Sequence, residues 1–401
     1  MTPSPPTSAI RYDPYDIDID NDPYPTWTQL RDEAPLYWNA EHEFWALSRW
    51  DDVRPALLDW DTYRSGRGTV LDIVKAGVEI PPGIVLFEDP PIHDAHRGLL
   101  SRVFTPRRML DLEPLVRDYA VQALDALLDR DEFDIISEFG VEIPLRTIGF
   151  LFGIPESVQD VYRKTTDEHI TTDGSGIDFD PSSFDAVLSV LGDYVEWRSK
   201  NPGDDLMTEL LNAQVDEPDG SRRALTRDEV VTYASMVAGA GNETATRLIG
   251  FTMQLLAQHP DQRRLMVADP SLVPAGIEEV LRLESPSPAQ ARWVQNDVEV
   301  CGHTVPAGSI MLLLNGAANR DPRHWTDPDA FDVYRDEGAH LAFGYGLHFC
   351  LGAALARLEG RVALEEILRR WPAWEIDLDR GQMAHTASVR GWGYLPVRPE
   401  I

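Results

Sequence analysis

The chain has 401 residues, and its 36 Lys and Arg against 67 Asp and Glu give a net charge of -31. That balance argues against nucleic-acid binding, which wants a basic patch. Two cysteines exclude a disulfide framework, and no run approaches the ~20 consecutive apolar residues of a membrane span.

Length alone allows two or three domains. No linker separates them, so residues 1–401 read as a single domain, mainly α with a smaller β region. The first ten residues, rich in Pro, Ser and Thr, read as a disordered tail. The N-terminus lacks a signal-peptide core, and a soluble cytoplasmic protein is expected.

Taken in chain order, the first patterned stretch is Asp89 to Arg97, Asp-Pro-Pro-Ile-His-Asp-Ala-His-Arg. His93 and Arg97 are four apart and share a helix face. Two donors on one face suit a carboxylate, although a solvated polar face accounts for one His equally well. Thr171 to Gly176 reads as a loop between helices, and Asp216 to Ser221 as a turn.

Leu225 to His259 reads as one long helix. Thr226 with Glu229 is a capping-box signature at its start, and Pro260 marks the exit. Its middle carries Gly239, Gly241, Glu243 and Thr244. Each interior glycine costs about 1 kcal/mol relative to Ala. A local distortion and a close helix crossing are equal readings of that cost. Further on, Glu279 and Arg282 lie three apart on one helix face, and spacing alone makes them an exposed ion pair of ~0.5 kcal/mol.

The most informative stretch is Phe343-Gly-Tyr-Gly-Leu-His-Phe-Cys-Leu-Gly352. Its glycines at 344, 346 and 352 permit tight turns and close approach to a flat ligand. Leu351, Leu355, Leu358 and Val362 then recur at helical spacing, which puts Cys350 at a helix N-terminus where the thiolate is favoured. A lone Cys is by default a small buried hydrophobe. Zinc needs about four ligands, and only His348 is near. As base for a cysteine nucleophile, His348 lies too close in sequence, since such partners are normally distant.

The pattern Phe-Gly-x-Gly-x-His-x-Cys-x-Gly resembles the haem-ligand loop of the cytochrome P450 family, the haem-thiolate monooxygenases of soluble bacterial type. The family's other motifs follow in order, so the resemblance runs from about residue 23 to residue 396. It implies the cytochrome P450 fold, with the long helix over the haem, and haem b (iron protoporphyrin IX) as cofactor. Cys350 is then the implied iron ligand, with Phe343 and Gly344 against the haem and His93, Arg97, Arg292 and His348 as propionate partners. Ala-Gly-x-Glu-Thr implies that Thr244 and Glu243 serve oxygen activation and proton relay. Position 245 is Ala where many members carry a second Thr, and Thr246 points about 200° further round the helix. Glu279, Arg282 and Arg335 are implied to form a buried structural set that ties down the cysteine loop.

The resemblance also implies a hydrophobic pocket walled by Val85, Leu86, Phe87, Val237, Ala240, Gln290 and Val389, with Arg67 and Arg390 as possible partners of a substrate carboxylate. The expected reaction inserts one atom of O2 into a hydrophobic small molecule, by C–H hydroxylation or epoxidation. No flavin or iron–sulfur module is appended, so NAD(P)H electrons are expected through a separate ferredoxin and its reductase. Arg97, Arg102, Arg107 and Arg108 could supply a basic docking patch, or be ordinary surface arginines. A peroxide-driven peroxygenase and a non-catalytic haem sensor remain as alternatives. The Glu243–Thr244 pair argues against both.

Overall fold

The computed structural model describes residues 10–155, 181–216, 220–386 and 388–400. Thr171 to Gly176 lies outside them, as do nine of the ten residues read as a tail. Helices α1 (Ile92–Ser101), α3 (Arg227–Gln258), α4 (Val273–Leu283) and α5 (Ala353–Arg370) carry residues singled out above, and α2 (Glu142–Leu151) packs on α3.

α3 starts where its cap predicts. The Glu229 N–H donates to the Thr226 hydroxyl and the Thr226 N–H donates to the Glu229 carboxylate, which satisfies two free amides of the first turn. Pro260 opens the next helix, so α3 closes at His259. Its 32 residues extend on the order of 50 Å. Of the two equal readings of the glycines, the close crossing is the one seen, and the segment is α-helical throughout. A Cβ on Gly241 would lie 3.1 Å from Ile148 Cδ1 of α2, and one on Gly360 of α5 would lie 3.0 Å from Leu248 Cδ2 of α3. These glycines let helices cross closely. Most of α3 is buried, but Ala240 is exposed and Gly239, Gly241, Asn242, Glu243 and Thr244 are half-buried. The middle of a core helix therefore opens onto a space.

Beside the helices lies a five-stranded sheet of β1 (Leu36–Asn39), β2 (Phe44–Leu47), β3 (Tyr63–Arg64), β4 (Gln290–Val294) and β5 (Ile310–Leu313), in spatial order β1-β2-β5-β4-β3. β2 and β5 pair in parallel, Met311 opposite Trp45, and the other pairs are antiparallel. Every residue of β2 and β5 is buried. Trp45, Leu47, Met311 and Leu313 face one apolar cluster, while Phe44, Ala46, Ile310 and Leu312 face another. Burial on both faces explains their unbroken apolar runs.

A hairpin of β6 (Gln382–His385) and β7 (Arg390–Tyr394) packs on α3. Trp392 lies over Gly250, and its indole N–H donates to Gln254 Oε1 at 2.8 Å. Arg390 is buried. It pairs with Glu284 at 2.7 Å and donates to the carbonyls of Asp20 and Asn21. Glu284 also takes Arg320 at 3.1 Å and the Tyr24 hydroxyl. Arg390 thus clamps the two ends of the chain together, which corrects its reading as a substrate partner.

Glu359 of α5 is 2% exposed, and its Oε1 has no hydrogen-bond partner. Burial pushes its carboxyl up to about 8 from an ordinary 4.5, against a small opposing effect of Thr147. The folded chain then keeps a proton that the unfolded chain releases, so rising pH favours unfolding until the folded carboxyl itself ionises. Glu359→Gln is expected to gain on the natural protein by at most about 1.4 kcal/mol per pH unit from about pH 4.5 to about 8, and to level off above. Urea unfolding across that range checks this; a difference independent of pH would contradict it.

Candidate active site

The stretch Phe343 to Gly352 folds into a tight loop ahead of α5. Gly344 and Gly346 have φ of 67° and 72°, the left-handed region that glycine enters freely. A Cβ on Gly346 would also come within 3.0 Å of the Leu57 carbonyl. Gly352 differs from the expectation: its φ is an ordinary -83°, and it caps α5. The Cys350 N–H donates to the Phe343 carbonyl at 2.9 Å and closes the loop. The rings of Phe343 and Phe349 meet edge-on at 6.2 Å. Cys350, next after Phe349, is half-buried. Burial pushes its thiol up, while the N–H groups of Gly352 and Ala353 and the charges of Arg97 and Arg357 pull the other way. The helix start alone does not favour the thiolate, because desolvation outweighs it.

Four donor side chains gather at this loop. His93 of α1 is fully buried, and its ring meets that of His348 at 4.5 Å. The Nε2 atoms of both are buried without a hydrogen-bond partner. His93 Nδ1 lies 3.2 Å from Asp94. Arg292 of β4 is buried and donates to Gln290 Oε1 at 2.7 Å and the Ala291 carbonyl at 2.8 Å. Arg97 of α1 donates to the Phe349 carbonyl at 2.5 Å. Burial depresses all four. His348 is driven down to about 2, first by desolvation and then by Arg292, His93 and Arg97, all cationic groups. Arg292 falls to about 10. Buried donors of one sign with partnerless nitrogens form a site made for anionic oxygen.

A buried charge cluster holds the loop from behind. Arg282 grips Glu279 with two bonds of 2.8 Å and donates to the carbonyls of Asn319, Pro328 and Ala330. Arg335 joins Glu279 at 3.0 Å, and the Asp332 N–H adds a bond of 3.1 Å. Asn319 in turn accepts the Leu341 N–H at 2.7 Å, two residues before the loop. A second tie escaped sequence reasoning. Glu278 pairs with Arg357 of α5 at 2.7 Å and with His340 at 3.2 Å, while the Arg357 guanidinium lies over the Phe343 ring at 4.6 Å. The acid beside Glu279 was its only sequence signal.

On α3, the Thr244 hydroxyl donates to the Ala240 carbonyl at 2.7 Å, one turn back. Glu243 lies 3.4 Å from Arg247. Thr246 is buried and bonded to the Asn242 and Gly140 carbonyls, so it faces away as its spacing predicts. Among the expected pocket residues, Ala240 and Leu86 are exposed, and Phe87 and Val389 are half-buried. Val85 and Val237 are buried in the apolar cluster that also takes in Phe343 and packs against Cys350. Gln290 is occupied in holding Arg292 and is half-buried. Arg67 stacks on the Trp293 ring at 3.8 Å. Of the four arginines read as a docking patch, Arg102 and Arg107 are exposed, Arg108 pairs with Glu209 at 3.1 Å, and Arg97 is committed to the loop.

Comparison with known proteins agrees with this geometry. The sequence model of the family described as Cytochrome P450 matches residues 189–384. A putative cytochrome P450 123 of Mycobacterium tuberculosis is 38% identical over 391 residues, 96% of each chain. The vitamin D(3) 25-hydroxylase of Pseudonocardia autotrophica is 35% identical over 98% of this chain and 97% of its own. The solved structure of cytochrome P450 CYP109Q5 from Chondromyces apiculatus superposes with a TM-score of 0.84 at 32% identity, covering 97% of this chain and 98% of that one. The chain belongs to the cytochrome P450 family and has its fold. It is a monooxygenase, an oxidoreductase of the haem-thiolate class. The partnerless nitrogens of His93 and His348, beside a cysteine at the mouth of a glycine turn, fit a haem with its carboxylates. Among the described residues no helix is long and apolar enough to cross a membrane.

Glu279→Ala would leave Arg282, 2% exposed, charged and without its carboxylate. A loss of about 3–5 kcal/mol is expected in denaturant unfolding. Arg108→Ala, from a pair about half exposed, should cost under about 1 kcal/mol. Similar losses in the two variants would contradict the bracing role.

Proposed function

We propose that Cys350 ligates the iron of haem b in a single-domain, cytoplasmic monooxygenase that hydroxylates or epoxidises a bulky hydrophobic substrate. The observation that carries this is the pair of buried, partnerless histidine nitrogens beside Cys350, in a cluster of cationic groups. His93, His348, Arg97 and Arg292 would hold the propionates, and the backbone at Phe343 and Gly344 would let the ring lie close. When bound, a haem with a thiolate ligand supplies oxygen-insertion chemistry, because the thiolate's electron density favours O–O cleavage.

The protein's own part is positioning and proton control. Thr244 Oγ1 already donates to the Ala240 carbonyl, so its lone pairs are free to accept a hydrogen bond from the open side, and rotation would redirect its proton there. Glu243, one residue back and next to Arg247, can take protons from solvent and pass them on. Glu279, Arg282 and Arg335 fix the loop. Leu86, Phe87, Ala240 and Val389 would form the apolar wall. Relatives support a large alicyclic or macrocyclic substrate: one is a 6-deoxyerythronolide B hydroxylase, 34% identical, and another solved relative is CYP109E1 in complex with testosterone. NAD(P)H electrons would arrive through a ferredoxin and its reductase, with Arg102 and Arg107 exposed for docking.

The carbon monoxide difference spectrum of the reduced protein tests the ligand. A strongly red-shifted Soret band is expected, and Cys350→Ser should lose it; a band that survives the substitution would sink the assignment. Thr244→Ala should retain haem while turning more of the consumed NAD(P)H into peroxide. Unchanged product per NAD(P)H would count against its role.

A further inference from the structure

Between the sheet and α1 the chain makes a short turn, Val85–Phe87, bounded by Gly83 and Glu88. Gly83 has a φ of 102°, and a Cβ there would lie 3.6 Å from the Glu229 carbonyl and the side chains of Thr232 and Tyr233 on α3. Ten residues later His93 reaches His348 in the cysteine loop. The segment thus runs from α3 to the cysteine loop, with Leu86 40% exposed along it.

Glu88 holds this segment at both ends. Its Oε1 accepts the Gly83 N–H at 2.8 Å, which closes the turn on itself. Both its oxygens also meet His96 Nδ1 of α1, at 2.8 and 2.9 Å. Glu88 is 8% exposed and His96 4%. The His96 ring stands edge-on to Tyr233 of α3 at 5.7 Å, and the buried Tyr233 hydroxyl has no hydrogen-bond partner. One buried carboxylate therefore ties the turn to the helix that also carries His93 and Arg97. Removing it would strand a backbone N–H and an imidazole nitrogen in the interior, a cost that a surface contact does not carry.

We propose that Glu88 and His96 form a clasp that fixes the Val85–Phe87 turn as the wall of the substrate pocket, making both positioning residues for substrate entry and fit. The clasp rests on the monooxygenase reading for its purpose. Its mechanics are independent of it. Loss of the carboxylate frees the turn, so bulky ligands gain or lose access while small ones do not.

The test compares Glu88→Leu, Glu88→Gln and His96→Leu, each loaded with haem and checked by its carbon monoxide spectrum. Amide hydrogen exchange is read over residues 83–88. Association of clotrimazole and of imidazole is followed by the Soret shift. Glu88→Leu should speed exchange in the segment by about tenfold and alter the clotrimazole rate by at least about fivefold, with imidazole changed by less than about twofold. His96→Leu should do the same more weakly. Glu88→Gln keeps an oxygen for the Gly83 N–H, and its NH2 can donate to His96 Nδ1 once the imidazole proton sits on Nε2, so it should stay near the natural protein. If Glu88→Leu fails to fold, His96→Leu decides. Segment exchange that does not rise, or both azoles shifting equally, would overturn the clasp. A natural protein that takes up no haem would instead overturn the parent reading, and the exchange comparison would still judge the clasp.

Discussion

A carboxylate and a guanidinium buried together are tolerable only when nearly every donor and acceptor is satisfied. Glu279 and Arg282 meet that condition with partners drawn from far along the chain. The guanidinium takes the carbonyls of Asn319, Pro328 and Ala330, and the carboxylate takes Arg335 and the Asp332 N–H. Asn319 caps a single helical turn, Asn315–Ala318, and the stretch from Pro328 to Arg335 has no regular secondary structure to fix it. The pair imposes on them a single arrangement, and Asn319 passes that arrangement to Leu341 and so to the cysteine loop. The loop's two left-handed glycines are then compelled by their surroundings.

The second constraint is electrostatic. A chain with a net charge of -31 nonetheless gathers Arg97, Arg292, His93 and His348 around one spot and drives each toward its neutral form. Such a cluster is unfavourable by itself, so it gains most from an anion that no side chain supplies to His348.

Much of this was legible in the chain. Thr226 with Glu229 and Pro260 bounded the central helix to within two residues. The spacing of Glu279 and Arg282 put them on one face, and Phe343 to Gly352 declared a turn with a cysteine at its mouth. Spacing does not say what packs against that face. On spacing alone Glu279 looked exposed, and only the resemblance argued for burial. The same gap hid Glu278 with Arg357 and His340, because the partners are 79 and 62 residues away. Val85 and Val237 could be named only as apolar, because apolar walls and apolar core share one alphabet. Arg390 looked available because nothing near it in sequence reveals Glu284. Gly241 was ambiguous for a related reason: a missing side chain shows that room is needed but not for what, and here the answer was Ile148.

The clamp formed by Arg390 has a bearing on how the molecule is made. Arg390 stands near the end of the chain, yet it seals Glu284 and the carbonyls of Asp20 and Asn21, and its hairpin covers α3 at Gly250. Cys350 is itself late in the chain. α3 also packs on α2 and α4, but its face at Gly250 is covered only when the hairpin docks. That docking joins residues 106 and 370 positions apart, so it is expected to follow the nearer contacts of α3 in folding.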